Sequence, residues 1–149
     1  MFTPIQAQIR AAVYGHLIRH GEAPNTATLA AETDLDVDET LGALRELEDA
    51  HALVLGPNRD SIWMAHPFSA VPTPYPVETA DGSHYWGNCA WDALGVLALL
   101  GRDGKSSTAC PDCDDPMTLE VSGGTLVSDD DVVHFLVPPR RFWDDVGFT

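Results

Sequence analysis

The feature that most constrains the fold is a proline-rich segment near the middle of the chain. It reads His66-Pro67-Phe68-Ser69-Ala70-Val71-Pro72-Thr73-Pro74-Tyr75-Pro76-Val77 and holds four prolines in twelve residues. Proline fixes its own φ and keeps the preceding residue out of the helical region, so the segment must follow a stiff, extended path. Helices can form only on either side of it, and we expect a boundary between two parts of the chain here.

Three helices are predicted before this segment. Thr3 followed by Pro4 is typical of an N-cap and a first helical position, and Gly21 is typical of a helix end. Between them an apolar residue recurs at every fourth position, which marks one buried helix face: Ile5, Ile9, Val13 and Leu17. A second, shorter helix is expected from Thr26.

A third helix is predicted from Asp36 to His51, because Asp36 and Glu39 have the spacing of a capping box. Its predicted buried stripe is Val37, Leu41, Leu44 and Leu47. Residues 53–55 and 61–64 are strand-like, with a Gly-Pro-Asn turn between them. Three helices followed by a β-hairpin is the order of a winged helix, a common DNA-binding unit.

The charge of the chain argues against DNA binding. The formal net charge is −15, whereas phosphate backbones and anionic membranes attract Lys and Arg. The third helix has one base, Arg45, against six acids: Asp36, Asp38, Glu39, Glu46, Glu48 and Asp49. We therefore expect no nucleic-acid or membrane partner, and expect the helices to serve as a packing or homodimerisation module.

The chain is expected to be cytoplasmic. It has no run of about 18 apolar residues that could span a membrane. Its first ten residues lack the basic head and apolar middle of a signal peptide. Three cysteines in such a chain are expected to be free thiols, metal ligands or catalytic groups rather than parts of a disulfide framework.

The part after the proline-rich segment is predicted to be mainly β with one buried helix. Gly87 or Asn88 is expected to cap this helix, which runs to about Leu100. A hairpin is predicted over 117–127, with its turn at Ser-Gly-Gly, and a further strand over 132–137.

Cys89 and Asp92 are the first candidate site. They are three residues apart at the start of the predicted helix, so their side chains share one face. The positive end of the helix dipole is expected to lower the pKa of the thiol, and the carboxyl can accept and return a proton beside the sulfur. The alternative is structural, because cysteine is often a small buried residue and an acid favours a helix start.

Cys110-Pro111-Asp112-Cys113 is the second candidate site. Two thiolates at this spacing suit half of a tetrahedral zinc site, and a ligand-free turn is the alternative. Of the histidines, His66 and His84 are expected to lie nearer to the site of Cys89 than the others, and are candidates for a direct role. The aromatic residues that flank Cys89 can wall an apolar pocket or belong to the core: Tyr85, Trp86 and Trp91.

Several segments resemble the alkylmercury lyases, also called organomercurial lyases. The stretch Met64-Ala65-His66-Pro67-Phe68-Ser69-Ala70-Val71-Pro72-Thr73-Pro74 is similar to the connector of that family. The block Cys89-Ala90-Trp91-Asp92-Ala93-Leu94 resembles a family block at the same distance downstream. Cys110 after Ser106-Ser107-Thr108-Ala109 and the strand that ends at Val137-Pro138 are similar as well, so the resemblance runs to the last residue.

The resemblance implies an α+β fold in three parts. Residues 1–65 would form a three-helix winged-helix-like module, and residues 66–78 a proline-rich connector. Residues 79–149 would form a small, mainly β domain of the alkylmercury lyase type with one buried helix.

The resemblance also implies an activity. In the family, two cysteines and an acid cleave a carbon–mercury bond. Cys89 would be the thiolate that binds mercury and Asp92 the proton carrier, since Hg(II) is soft and the departing carbon needs a proton. No cofactor is required, and the partner is a small organometallic or metal-ion ligand. The second catalytic cysteine of the family aligns with or beside Thr149, where this chain has no cysteine. The resemblance therefore supports mercury binding more strongly than cleavage.

Two other functions remain open at this point. The first is a protein of the lyase fold without lyase activity that holds Hg(II), zinc or copper, for which the candidate metal ligands are Cys89, Asp92, Cys110 and Cys113. The second is a winged-helix regulator, which the negative charge disfavours.

Overall fold

The computed structural model describes residues 1–127 and 132–147. The first half contains three helices and a small sheet: α1 (Pro4–His20), α2 (Thr26–Thr33), α3 (Val37–Asp49), β1 (Val54–Leu55), β2 (Ile62–Ala65) and β3 (Phe68–Ser69). The second half contains a larger sheet, one α-helix and a 3₁₀ helix: β4 (Pro76–Thr79), β5 (His84–Trp86), α4 (Ala90–Leu100), β6 (Gly104–Ala109), β7 (Pro116–Ser122), β8 (Thr125–Leu126) and the 3₁₀ helix Pro139–Asp144.

Local capping explains where α1 and α3 begin. The Thr3 hydroxyl accepts a hydrogen bond from the Gln6 N–H at 3.2 Å, and the Gln6 side chain accepts one from the Thr3 N–H at 2.8 Å, which completes a capping box. The Asp36 carboxylate accepts from the Glu39 N–H at 2.7 Å in the same way at the start of α3. These helix starts and the end of α1 at Gly21 confirm the predictions from sequence.

The buried face of α3 differs from the predicted stripe. Its buried residues are Thr40, Ala43, Leu44 and Leu47. Val37 is 50% exposed, because it belongs to the first turn and lies outside the face that α1 and α2 cover. The helix also ends at Asp49 rather than at His51, which adopts a left-handed conformation (φ 58°) that a helix cannot continue.

Both sheets are antiparallel. The first has the strand order β1-β2-β3 and the second the order β5-β4-β6-β7-β8. The proline-rich segment supplies β3 and runs into β4, so it is extended as predicted and part of it pairs. α4 packs on β4, β6 and β7 through Ala93, Val96 and Leu97.

One hydrophobic core joins the two halves. Phe68 of the proline-rich segment is 1% exposed and packs with core residues of both halves. The Tyr85 hydroxyl of β5 donates to the Ile18 carbonyl of α1 at 2.9 Å. The α+β fold is as expected, while the winged-helix arrangement and the boundaries at residues 66 and 78 stay predictions.

The predicted strand over 132–137 is wrong. This segment is irregular and leaves Val132 86% and Leu136 70% exposed. An apolar run becomes a strand only where a neighbouring strand accepts its hydrogen bonds, and within residues 1–127 and 132–147 none pairs with it. The predicted hairpin is confirmed as β7 and β8. In the described part of the chain, no helix has the length and apolar character needed to cross a membrane.

Candidate functional site

Cys89 is the N-cap residue of α4. Its backbone is extended (φ −146°, ψ −177°) and the helix begins at Ala90. The expectation that Gly87 or Asn88 caps the helix is therefore wrong. Gly87 instead belongs to the edge of the sheet, where its N–H donates to the Tyr75 carbonyl at 3.0 Å.

Gly87 allows the start of α4 to approach the sheet closely. A Cβ atom at this position would lie 2.6 Å from the Ala93 nitrogen and 2.8 Å from the Ala93 Cα. Both contacts are shorter than any that a real Cβ makes with backbone, so a larger residue would have to move the first turn of the helix. The glycine thereby sets the position of Cys89 above the sheet.

Cys89 and Asp92 are in contact. The Cys89 thiol donates to the Asp92 carboxylate with 3.7 Å between Sγ and Oδ2. The side chain of Asp92 is only 16% exposed, so the contact is shielded from bulk water. The two side chains share one face of the helix start, as their spacing predicts.

The pKa of the Cys89 thiol is raised, contrary to the expectation for a thiol at a helix start. Burial is the largest cause. The N–H groups of Asp92 and Trp91 oppose it by favouring the thiolate, while the negative charge of Asp92 adds to the increase. The loss of water around the sulfur therefore outweighs the helix dipole, and the resting group is a thiol that holds its proton.

His66 is a third member of the site, for which the sequence predicted a place near the site but no specific role. Its Nδ1 lies 3.6 Å from Asp92 Oδ2 and 3.2 Å from Asn88 Nδ2. The Asn88 amide also donates to the carbonyls of Pro67 at 3.2 Å and Phe68 at 3.3 Å. Those carbonyls can only accept, so the amide orientation is determined and His66 Nδ1 faces it as an acceptor.

The backbone of His66 is anchored as well. The Tyr14 hydroxyl of α1 donates to the His66 carbonyl at 2.7 Å. The carboxylate of Asp92 is close enough to affect Tyr14, whose pKa is raised mainly by burial and also by that charge. The N-terminal helices thus help to position the site. In the sequence, His66 is marked only by its place at the start of the proline-rich segment. Its contact with Asp92 could not be read from the sequence, because Asp92 is 26 positions away.

Aromatic residues surround the site in a different way from the prediction. Tyr85 is 3% exposed and belongs to the core, whereas Trp91 is 59% exposed and packs edge-on against Phe135 at 6.2 Å. Trp143 of the 3₁₀ helix contacts the His66 ring edge-on at 6.0 Å. His84 is exposed on β5. Residues 132–147 therefore contribute one ring beside α4 and another beside His66.

A cavity of about 500 Å³ lies outside this constellation. Its lining includes His51, Arg59 and Trp143 but neither Cys89 nor Asp92. We therefore place the candidate site by its chemistry rather than by this cavity.

Cys110 and Cys113 lie in the turn between β6 and β7. The turn is closed by hydrogen bonds from the Cys110 N–H to the Asp115 carbonyl (2.8 Å) and from the Asp114 N–H to the Cys110 carbonyl (2.9 Å). The pKa of Cys110 is lowered, first by the N–H groups of Cys113 and Asp112 and then by a hydrogen bond from the Cys113 thiol. The Asp115 N–H lowers the pKa of Cys113, but the net pKa is raised by the Asp115 carboxylate, to which the thiol donates at 3.3 Å, and by the neighbouring Cys110 sulfur.

The structure separates these thiols from Cys89. Cys89 follows β5 and Cys110 follows β6 at the same end of the sheet, with β4 between them. Two strand spacings correspond to roughly 10 Å. In the described ranges no three side chains of His, Cys, Asp or Glu converge as ligands of one metal ion. The four candidate metal ligands thus form two pairs, and Thr149 lies outside the described residues.

Comparison with known proteins gives a family match and a fold match. The model of the family described as alkylmercury lyase matches residues 68–149, which is more than half of the chain. The crystal structure of the mercury-bound form of MerB2 matches with a TM-score of 0.66 and 20% identity over 86% of this chain. The chain spans 60% of the length of that protein, and at this identity the likeness establishes the fold. No curated protein matches the chain.

Proposed function

Because the chain belongs to the alkylmercury lyase family, we propose that it cleaves the carbon–mercury bond of organomercury compounds at Cys89 and Asp92. The observation that carries the proposal is the 3.7 Å contact between Cys89 Sγ and Asp92 Oδ2, inside the part of the chain that matches the family. A soft thiolate to hold mercury and an acid to protonate carbon are the two groups that this reaction needs.

The first step is capture of the substrate, an organomercury cation carried by a small thiolate. The Cys89 Sγ–Hg bond forms and the bond from mercury to the small thiolate breaks. The thiol proton passes to the Asp92 carboxylate, which already accepts a hydrogen bond from it. The raised pKa of Cys89 is useful here, because the proton stays in the site until mercury displaces it.

The second step is protonolysis. Asp92 donates the captured proton to the carbon bound to mercury, so that a C–H bond forms as the C–Hg bond breaks. The hydrocarbon leaves and Asp92 is again a carboxylate. A small thiolate from solution forms a new bond to mercury, so Hg(II) stays on Cys89 with that thiolate as its second ligand. Mercury remains Hg(II) throughout, so no oxidant or reductant is needed.

His66 and Asn88 support this chemistry once Asp92 carries the proton, because His66 Nδ1 can then accept a hydrogen bond from the Asp92 carboxyl. The Asn88 amide, held by two backbone carbonyls, keeps His66 Nδ1 within 3.6 Å of the Asp92 carboxyl. A carboxyl that transfers a proton must stay aligned with both sulfur and carbon, and partners of this kind are commonly worth about 10–100-fold in activity.

The alternative of resident zinc or copper on Cys89, Cys110 and Cys113 has less support. Each Zn–S bond is about 2.3 Å, so sulfurs on one ion lie about 4–5 Å apart. Among the described residues no three such side chains converge on one metal ion, and Cys89 and Cys110 follow strands that are two positions apart in the sheet.

The proposal is tested with phenylmercury and an excess of a small thiol, with benzene as the measured product. We expect Cys89→Ser to lower the rate at least about 100-fold, because a hydroxyl is a hard, weak ligand for mercury. Cys110→Ser is the matched control, with the same change at a thiol outside the proposed cleavage step, and should keep the wild-type rate of benzene release in a single turnover. Undiminished benzene from Cys89→Ser, or none from the wild type, would contradict the proposal.

A further inference from the structure

The turn between β6 and β7 holds two thiols that the proposed cleavage does not use. Cys110 and Cys113 are free, and Cys113 is fully exposed. Two backbone hydrogen bonds across residues 110–115 hold the turn closed. The Cys113 thiol donates to the Asp115 carboxylate at 3.3 Å. The two sulfurs of the turn are close enough to affect each other's pKa.

This pair has the donor set that a soft cation prefers. Thiolate ligands select soft ions such as Cu(I), Zn and Hg(II) over hard ones. Once one sulfur binds the ion, the second acts intramolecularly at a high effective concentration, which monothiols in solution do not match. Three acids of the same turn add negative charge that attracts cations: Asp112, Asp114 and Asp115.

The pair also lies next to the candidate cleavage site. Tyr75 directly precedes β4. If the pairing of β4 with β5 is continued beyond the strand, Tyr75 lies beside Gly87, and if the pairing of β4 with β6 is continued, Tyr75 lies beside Thr108. Cys89 and Cys110 each follow two residues after those neighbours. In agreement with this placement, the pKa of the Tyr75 hydroxyl is raised first by burial and then by the charges of the Cys89 and Cys110 sulfurs.

We propose that Cys110 and Cys113 form a second, two-sulfur site that takes Hg(II) from Cys89 after the carbon–mercury bond is cleaved. The source of the Hg(II) rests on the proposed function, whereas the affinity of the turn for Hg(II) does not. Removal of the product to a separate site would leave Cys89 free for the next substrate.

The transfer is a ligand exchange without redox change. Before it, Hg(II) is bound by the Cys89 sulfur and one small thiolate. Bonds from mercury to the sulfurs of Cys110 and Cys113 form, and the two earlier Hg–S bonds break. The two protons lost from the turn go to the Cys89 sulfur and to the departing small thiolate, so charge and atoms balance.

The first experiment measures where Hg(II) resides. The reduced full chain receives one equivalent of HgCl₂, is dialysed against an excess of a small monothiol, and is analysed for mercury per chain. We expect wild type and Cys89→Ser to retain about one Hg(II), and the double variant Cys110→Ser/Cys113→Ser to retain at least about tenfold less, since it lacks the chelating pair. Equal retention by wild type and the double variant would overturn the proposal, and so would a loss in Cys89→Ser as large as that in the double variant.

The second experiment maps the free thiols. After one equivalent of HgCl₂, and separately after a single turnover of phenylmercury, iodoacetamide labels unprotected cysteines and mass spectrometry locates the labels. We expect label on Cys89 and protection of Cys110 and Cys113 in both cases. Benzene release with Cys89 protected would overturn the second site and leave the proposed function intact. Absence of benzene with Cys110 and Cys113 protected by HgCl₂ would remove the proposed function and leave the two-sulfur site standing.

Discussion

Cys89 and Cys110 lie at the same end of one sheet, yet their pKa values are shifted in opposite directions. Backbone N–H groups near each sulfur lower its pKa, those of Asp92 and Trp91 at Cys89 and those of Cys113 and Asp112 at Cys110. The N–H groups prevail in the hairpin turn, because water still reaches the sulfur there. At the start of α4 burial prevails and the pKa rises. The comparison shows that N–H donors lower the pKa of a thiol only where desolvation does not outweigh them.

The difference suits two kinds of chemistry. A protonated thiol next to a carboxylate can supply a proton to a reaction, as the proposed cleavage requires at Cys89. A pair of accessible sulfurs, one with a lowered pKa, suits rapid exchange of a soft cation, as proposed for the turn. Each of the following measurements tests one part of this contrast.

The largest expected effect is that of Asp92→Asn on carbon–mercury cleavage. The amide cannot carry a proton, so we expect benzene release to fall by about 10²–10⁴-fold, the usual contribution of a general acid. Mercury capture by Cys89 should persist, as measured by protection from iodoacetamide in the Cys110→Ser/Cys113→Ser background. Asp112→Asn makes the same change in the turn and should leave the rate of benzene release within about twofold, since its carboxyl takes no part in proton transfer.

Gly87→Ala should have the next largest effect, this time on stability. Its Cβ would lie 2.6 Å from the Ala93 nitrogen, and overpacking of this kind costs about 1–3 kcal/mol of unfolding free energy. Urea denaturation measures it. Gly42→Ala is the matched control, because no atom lies within 4 Å of its Cβ on α3 and the change should stabilise the helix by about 0.5–1 kcal/mol. Equal stability of Gly87→Ala and wild type would show that α4 can move without cost.

The features that sequence predicted well are those with local causes. Asp36 caps α3 through Glu39, and Cys89 meets Asp92, each across three residues of one helix start. The contact of His66 with Asn88 spans 22 residues and depends on how the proline-rich segment packs against α4. No periodicity or spacing encodes such a contact.

The predictions that were wrong also depend on contacts between distant parts of the chain. The raised pKa of Cys89 depends on burial by distant elements, so the helix dipole alone predicted the wrong direction. A strand over 132–137 requires a partner strand, which the alternation of apolar residues does not supply. The fold class and the principal pair could be predicted, while the electrostatics of the pair required the tertiary structure.

Alkylation by iodoacetamide should separate the two thiols directly. The pKa of Cys110 lies below the ordinary thiol value and that of Cys89 above it. A thiolate of higher pKa is a better nucleophile, but each unit of pKa raises its reactivity by only about half a logarithmic unit. Each unit of pKa lowers the fraction of thiolate at pH 7 by about a full logarithmic unit, so the thiolate fraction decides the rate. At pH 7 we expect Cys110 in Cys89→Ser/Cys113→Ser to react about tenfold or more faster than Cys89 in Cys110→Ser/Cys113→Ser. The reverse order would refute the contrast.

The smallest expected effect, and the sharpest test of its cause, is that of Asp92→Asn on the Cys89 thiol itself. The Asp92 charge and its hydrogen bond with the thiol raise the pKa of Cys89, while the Asp92 N–H lowers it and would remain. The substitution should therefore lower the pKa of Cys89 without bringing it to the level of Cys110, because burial, the largest cause, persists. The pH profile of alkylation should move to lower pH and the rate at pH 7 should rise a few fold, in the same variant that loses cleavage. A profile that does not move would mean that burial alone sets the ionisation of Cys89, and that Asp92 does not take up its proton.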